Sequence, residues 1–128
     1  MVRTTVDLVL LESTFAVCSL PTNESEPGWA HRGSFSSVTR TPLELSVVCE
    51  AASVPPDIEA EIGWRCLMVE GPLPFTEIGI LSSLTAPLAA AGVSVFAIST
   101  YETDYLLVKE ASLERAQSSL RSEGFRIR

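Results

Sequence analysis

The chain has 128 residues, of which 46 % are hydrophobic and 20 % charged, and its formal net charge is −7. That apolar content supports a packed core and lies outside the disordered range, and the length suits one compact domain or two very small ones. The acidic balance argues against nucleic acid, which needs clustered Lys and Arg, and against an anionic membrane surface; no apolar run reaches the roughly 18–20 residues that span a bilayer. The N-terminus MVRTTVDLVLLEST lacks a signal peptide's cleavage region, and Asp7 interrupts its apolar stretch, so a cytoplasmic location is expected. The low charge content points to surface covered by a partner chain. Cys18, Cys49 and Cys66 are isolated, form no CxxC and sit in strand-like runs, where a free thiol behaves as a small hydrophobe.

In chain order, Asp7–Leu11 and Thr14–Leu20 read as short apolar strands, followed by a polar loop over Pro21–Ser34. Phe35–Arg40 and Leu43–Glu50 alternate around Thr41–Pro42, which predicts a hairpin. Pro55 and Pro56 exclude a long helix over Ala51–Asp57, and Ile58–Ile62 is a candidate short strand. Trp64–Glu70 reads as a strand closed by Gly71, Pro72 and Pro74. Glu77–Ala91 carries Ile78, Leu81, Leu84, Thr85 and Leu88 near helical spacing. Thr76 is its expected cap, Glu77 suits the helix dipole, and Gly92 is placed to end it; Pro87 predicts a bend. Val93–Ser99, apolar on both faces, reads as a central strand. Thr100–Thr103 is a turn, Asp104–Lys109 the return strand, Ser112–Glu123 a second amphipathic helix ended by Gly124, and Phe125–Ile127 a last short strand.

The second half is thus βαββαβ, an antiparallel sheet with two helices on one face, and the first half looks like the same plan with its helices shortened or lost. The expected fold class is α+β: two ferredoxin-like units, residues 1–62 (degenerate) and 63–128, with the boundary near Ile62–Gly63.

Little here is equipped for catalysis. His31 is the only histidine and lies in a Gly- and Pro-flanked loop, where a surface role is expected. There is no HExxH, P-loop or GxGxxG, and no calcium-type loop, so neither a metal nor a cofactor is expected. Glu102 and Asp104 could do acid–base work, but acids in turns are usually just solvated. Binding is better supported. The start of the Glu77–Ala91 helix offers backbone N–H groups to a carboxylate, Gly79 removes a side chain there, and Glu77 and Asp104 offer charge to a cation. One end of an α-amino acid needs donors and the other acceptors. The plainer reading is a packing glycine, a dipole acid and a turn acid. Ser82, Ser83 and Thr85 stand out as polar residues on the helix; Ser83 either faces solvent or meets a ligand or partner chain.

The segment GILSSLTAPLAAAGVSVFAISTYETDYLLVKE resembles the ACT domains of the CASTOR-like family. The resemblance is carried by Gly79–Ile80, Ala86–Ala89, Gly92, Ser94–Val95, Ile98–Thr100, Asp104–Tyr105, Leu107–Val108 and Glu110, and FSSVTRTPLELSVVCE at Phe35–Glu50 is similar to that family's first unit. It implies βαββαβ modules that bind amino acids at interfaces between paired units. Animal members bind arginine and carry four ACT units in one chain; two here imply a homodimer. The resemblance assigns ligand contacts to Glu77, Gly79, Leu81, Thr100, Tyr101, Thr103 and Asp104, with Ile78 and Ile80 in the same segment, and gives Ser83 and Leu84 to the facing chain. The expectation is a small regulatory protein binding a free amino acid, with arginine or another basic amino acid compatible with Glu77 and Asp104. The alternatives are a structural or adaptor dimer without ligand and, last, an enzyme.

Overall fold

The computed structural model describes residues 6–73 and 78–128. The chain divides into two compact units: Ser13–Trp64, and Arg65–Arg128 together with the segment ending at Glu12. Its class is α+β with a mixed sheet and two α-helices.

In the unit Ser13–Trp64, strands β2 (Phe15–Leu20), β3 (Ser37–Arg40) and β4 (Leu45–Glu50) form an antiparallel sheet in the order β3–β4–β2, and β2 also pairs with the start of β5 (Ala60–Val69). Short 3-10 turns at Gly28–His31 and Ala51–Ser53 stand between these strands in place of α-helices. The Thr41–Pro42 hairpin forms as its alternation predicts. Cys18 and Cys49 are buried in a core with Leu45 and Val47, and burial pushes both thiols up, Cys49 to about 11. Phe15 meets Phe35 edge to face, with ring centroids 5.7 Å apart. His31 is exposed, 3.0 Å from Glu26.

The candidate strands Ile58–Ile62 and Trp64–Glu70 are one strand, β5. The break that the sequence suggests at Ile62–Gly63 is a bulge. Pairing steps from Phe15↔Trp64 to Val17↔Glu61, so β5 holds one residue more than β2 there. Gly63 has φ +81°, a conformation that a side chain would strain.

In the other unit, β1 (Asp7–Leu10) runs antiparallel to β5 and parallel to β8 (Arg126–Ile127), while β7 (Asp104–Lys109) pairs with both β5 and β6 (Phe96–Ser99). The sheet order is therefore β6–β7–β5–β1–β8. The insertion of β1 between β5 and β8 is not part of the βαββαβ plan, and it makes the sheet mixed. Val93–Ser99 departs from expectation as well: the strand is only Phe96–Ser99, its exposure alternates, and it pairs with β7 at the sheet edge. Its apolar lead-in has another cause, since Val93 and Val95 pack into the helix-side core.

Helices α1 (Ile80–Ala90) and α2 (Leu113–Ser122) share that core. Ile80, Leu84 and Leu88 of α1 and Ala116 and Leu120 of α2 are buried with Leu8, Leu67, Val69, Leu106 and Val108 of the strands. Burying such an aliphatic side chain is worth about 1.5–3 kcal/mol, so the three from α1 together outweigh the ~3 kcal/mol cost of a mid-helix proline. The helix accordingly runs through Pro87. Gly92 ends α1 with Gly92 N donating to Ala89 O (3.0 Å) and Val93 N to Leu88 O (2.9 Å), and Gly124 and Phe125 end α2 in the same way. Cys66 is fully buried, and burial pushes its thiol to about 12.

The short strand β8 is fixed by charge as well as by pairing. The Arg126 guanidinium donates to both Asp7 oxygens, Nε to Oδ1 at 3.1 Å and Nη2 to Oδ2 at 2.7 Å. These bonds hold the Asp7 carboxyl below its ordinary value of 3.8. A depressed folded-state pKa contributes stability above the unfolded value and loses it as pH falls through the folded value. Asp7→Asn is therefore expected to lower the melting temperature near neutral pH. The gap to wild type should close in acid below the folded-state value, as a series of thermal melts across pH would record.

Candidate functional site

The sheet brings the β6–β7 turn beside the start of α1, and a cavity of about 550 Å³ opens between them. Among the described residues it is lined by Leu73, Gly79, Ile80, Leu81, Ser82 and Thr85 on one side, and by Ser99 through Asp104 on the other.

The turn is built from its own threonines. Thr100 N donates to Thr103 O at 2.8 Å, Thr100 Oγ1 to the same carbonyl at 3.1 Å, and Thr103 N to Thr100 Oγ1 at 3.3 Å. Two further bonds tie it to the end of β5 and the segment after it: Thr103 Oγ1 donates to Val69 O at 2.6 Å, and Leu73 N to Glu102 O at 2.7 Å. Gly71 permits this approach, because a Cβ there would lie 3.1 Å from Glu102 O and 3.2 Å from Thr103 Cβ. On the helix side Gly79 takes φ +86° as the residue before α1, and its carbonyl accepts from Ser83 N (2.9 Å) and Ser82 Oγ (3.1 Å). The first-turn N–H groups of α1 have no intrahelical carbonyl to donate to and give that end of the helix a positive potential.

The polarity of the two sides differs. Ser99 Oγ donates to Asp104 Oδ1 at 2.5 Å. With the Ser82, Thr100 and Thr103 bonds above, four hydroxyl protons around the cavity are committed inside the protein. The oxygens of Ser99, Thr100 and Thr103 therefore keep acceptor capacity on the turn side, where Asp104 and Glu102 add carboxylates, while Ser82 is on the helix side. The turn side offers acceptors and the helix start offers donors.

The expected site residues separate into groups. Gly79, Ile80, Leu81, Thr100, Tyr101, Thr103 and Asp104 meet at this cavity. Tyr101 is 77 % exposed; Ile80 is buried, its side chain part of the core. Ile78 precedes the helix and is 92 % exposed. Glu77 and the expected cap Thr76 lie outside the described residues. Ser83 is half-buried, donates to Ile80 O at 2.7 Å, and lines a different concavity with Ala86, Pro87 and Ser119. Leu84 is fully buried in the core, so its side chain is not available to a second chain. Residues that the binding reading did not include are Ser99, Glu102, Ser82, Thr85 and Leu73. The signal for Ser99 was the hairpin register, which sets it directly opposite Asp104; Ser82 and Thr85 follow Gly79 at three-residue helical steps.

If the tie to β5 holds the turn in place, Thr103→Val, which keeps the shape and removes the hydroxyl, should cost about 1–2 kcal/mol in urea unfolding. An unchanged midpoint would count against that tie.

A family model for the ACT domain matches residues 59–122, half of the chain, and a second model, of an N-terminal domain, matches residues 13–57. Among solved structures, the chain is similar to protein Atu0741 from Agrobacterium tumefaciens, with a TM-score of 0.93, 35 % identity and coverage of 98 % of this chain and 94 % of that one. It shares the fold of Clostridium acetobutylicum aspartate kinase, with a TM-score of 0.67 at 15 % identity, over 95 % of this chain and 35 % of the kinase. In sequence it is 40 % identical over 67 residues to the Homo sapiens cytosolic arginine sensor for mTORC1 subunit 1, a match covering 46 % of this chain and 20 % of the sensor. The chain thus spans about a fifth of the length of that curated relative. It is a member of the ACT domain family, with two ACT-like units in tandem.

Proposed function

We propose that this protein is a small, cytoplasmic, non-catalytic ACT-type regulator that binds a free amino acid in the cavity between the α1 start and the β6–β7 turn. The observation that carries the reading is the split polarity of that cavity, with helix-start N–H groups on one side and Asp104, Glu102 and lone-pair-presenting hydroxyls on the other. A carboxylate suits the first side. An ammonium or guanidinium suits the second. A basic amino acid, arginine foremost, satisfies both, and the likeness to a protein named as an arginine sensor supports that choice. Glu77 would add charge at the cationic end.

The ligand sits at a homodimer interface in this reading. Ser83, on the face of α1 turned to the other concavity, is the residue offered to the facing copy. A ligand present at about 100 times its Kd stabilises the folded state by roughly 2.7 kcal/mol. Thermal melts with each of the twenty amino acids at millimolar concentration should show such a shift for a basic amino acid, and Asp104→Ala should abolish it while leaving the ligand-free melt in place. No shift with any of them would replace this reading with a dimer that serves only as scaffold or adaptor. Ser83→Arg is expected to convert the dimer to monomer in size-exclusion chromatography with light scattering; an unchanged mass would place the interface elsewhere.

A further inference from the structure

We infer that Ser99 is a positioning residue for ligand recognition, holding the Asp104 carboxylate in the orientation that receives the ligand's cationic group. This rests on the amino-acid reading of the cavity. Ser99 and Asp104 are directly opposed at the end of the β6–β7 ladder, so both side chains leave the sheet on one face, and both line the cavity. The Ser99 Oγ donates to Asp104 Oδ1 at 2.5 Å, in the short range of hydroxyl–carboxylate bonds. It engages one oxygen and leaves Oδ2 to a ligand.

Closing the turn does not account for this bond, because three Thr100–Thr103 bonds already close it. What the bond adds is a fixed side chain. A carboxylate that must be ordered only when the ligand arrives loses affinity, roughly two- to tenfold for one immobilised side chain. Ser99 removes that loss before binding, and it does so on the acceptor side, where the cation docks.

The test compares wild type, Ser99→Ala and Ser99→Thr in calorimetric titrations with L-arginine and L-lysine, together with NMR three-bond couplings that report the Asp104 χ1 rotamer without ligand. Ser99→Ala should weaken binding of the better of the two roughly two- to tenfold, leave the ligand-free melt near wild type, and average the Asp104 rotamers. Ser99→Thr, which keeps the hydroxyl on a strand-compatible side chain, should restore both affinity and rotamer. Wild-type binding that Ser99→Ala leaves unchanged would overturn this inference alone, as would a single Asp104 rotamer surviving in that variant. A wild type that binds neither probe overturns the basic-amino-acid reading and this inference with it.

Discussion

The hydroxyl of Thr103 donates to the carbonyl of Val69, and this contact fixes the turn that forms one wall of the candidate cavity. It joins the β6–β7 turn to the last residue of β5, and the Leu73 N–Glu102 O bond extends the join by a few residues. Without these ties the turn would be the tip of an edge hairpin, and such tips are mobile unless anchored. With them, Asp104 and its neighbours stand at a fixed distance from the start of α1, whose own position is set by Ile80, Leu84 and Leu88 in the core. The cavity is the gap between two anchored elements.

The sheet beneath it is assembled from distant parts of the chain. Strand β1 lies between β5 and β8 and is parallel to the latter. The C-terminal strand has only two residues and is held by pairing, by the Asp7–Arg126 pair and by an ion pair between Arg128 and Glu70. Exposed ion pairs contribute little on average. The fork between Arg126 and Asp7 is bidentate, and it adds to the backbone bonds between Arg128 and Leu8 and Leu10 and to the packing of Phe125 and Ile127 against the core. In the other unit the 3-10 turns at Gly28–His31 and Ala51–Ser53 do for the sheet what helices do elsewhere, covering one face with Ala30 and the residues around it.

The chemistry of the cavity comes from where hydroxyl protons go. Serine and threonine can donate or accept, and a sequence does not reveal which role each plays. Here Ser82, Ser99, Thr100 and Thr103 all give their protons to protein acceptors. Three of these residues, Ser99, Thr100 and Thr103, become acceptors at the turn, beside the acids Glu102 and Asp104. ACT-family membership agrees with such a site without specifying its ligand, since likeness to the aspartate kinase at 15 % identity speaks for the fold alone.

By itself the sequence determined most elements: the first-half hairpin, both helices and their glycine stops, and the turn at Thr100–Thr103, although α1 begins at Ile80 after Gly79 and not at the expected Glu77. These are local, written in period, caps and turn residues within a few positions. It also marked Gly79 and Asp104, because a glycine before a helix and an acid at a hairpin are local signals. The tertiary structure alone decided the rest. Gly63 looked like a break between two strands and is a bulge within one, close to where the two units divide, since a bulge exists only relative to a partner strand. Val93–Ser99 looked like a central strand because apolarity reports burial and not neighbours, and Val93 is buried, with Val95 partly buried, in the helix-side core. Leu84 and Ser83 are adjacent in the chain, yet a 100° step of the helix sends one into the core and the other to a separate surface. That Ser99 and Asp104 share a cavity with the start of α1 is likewise tertiary, although their opposition across the hairpin follows from the Thr100–Thr103 turn.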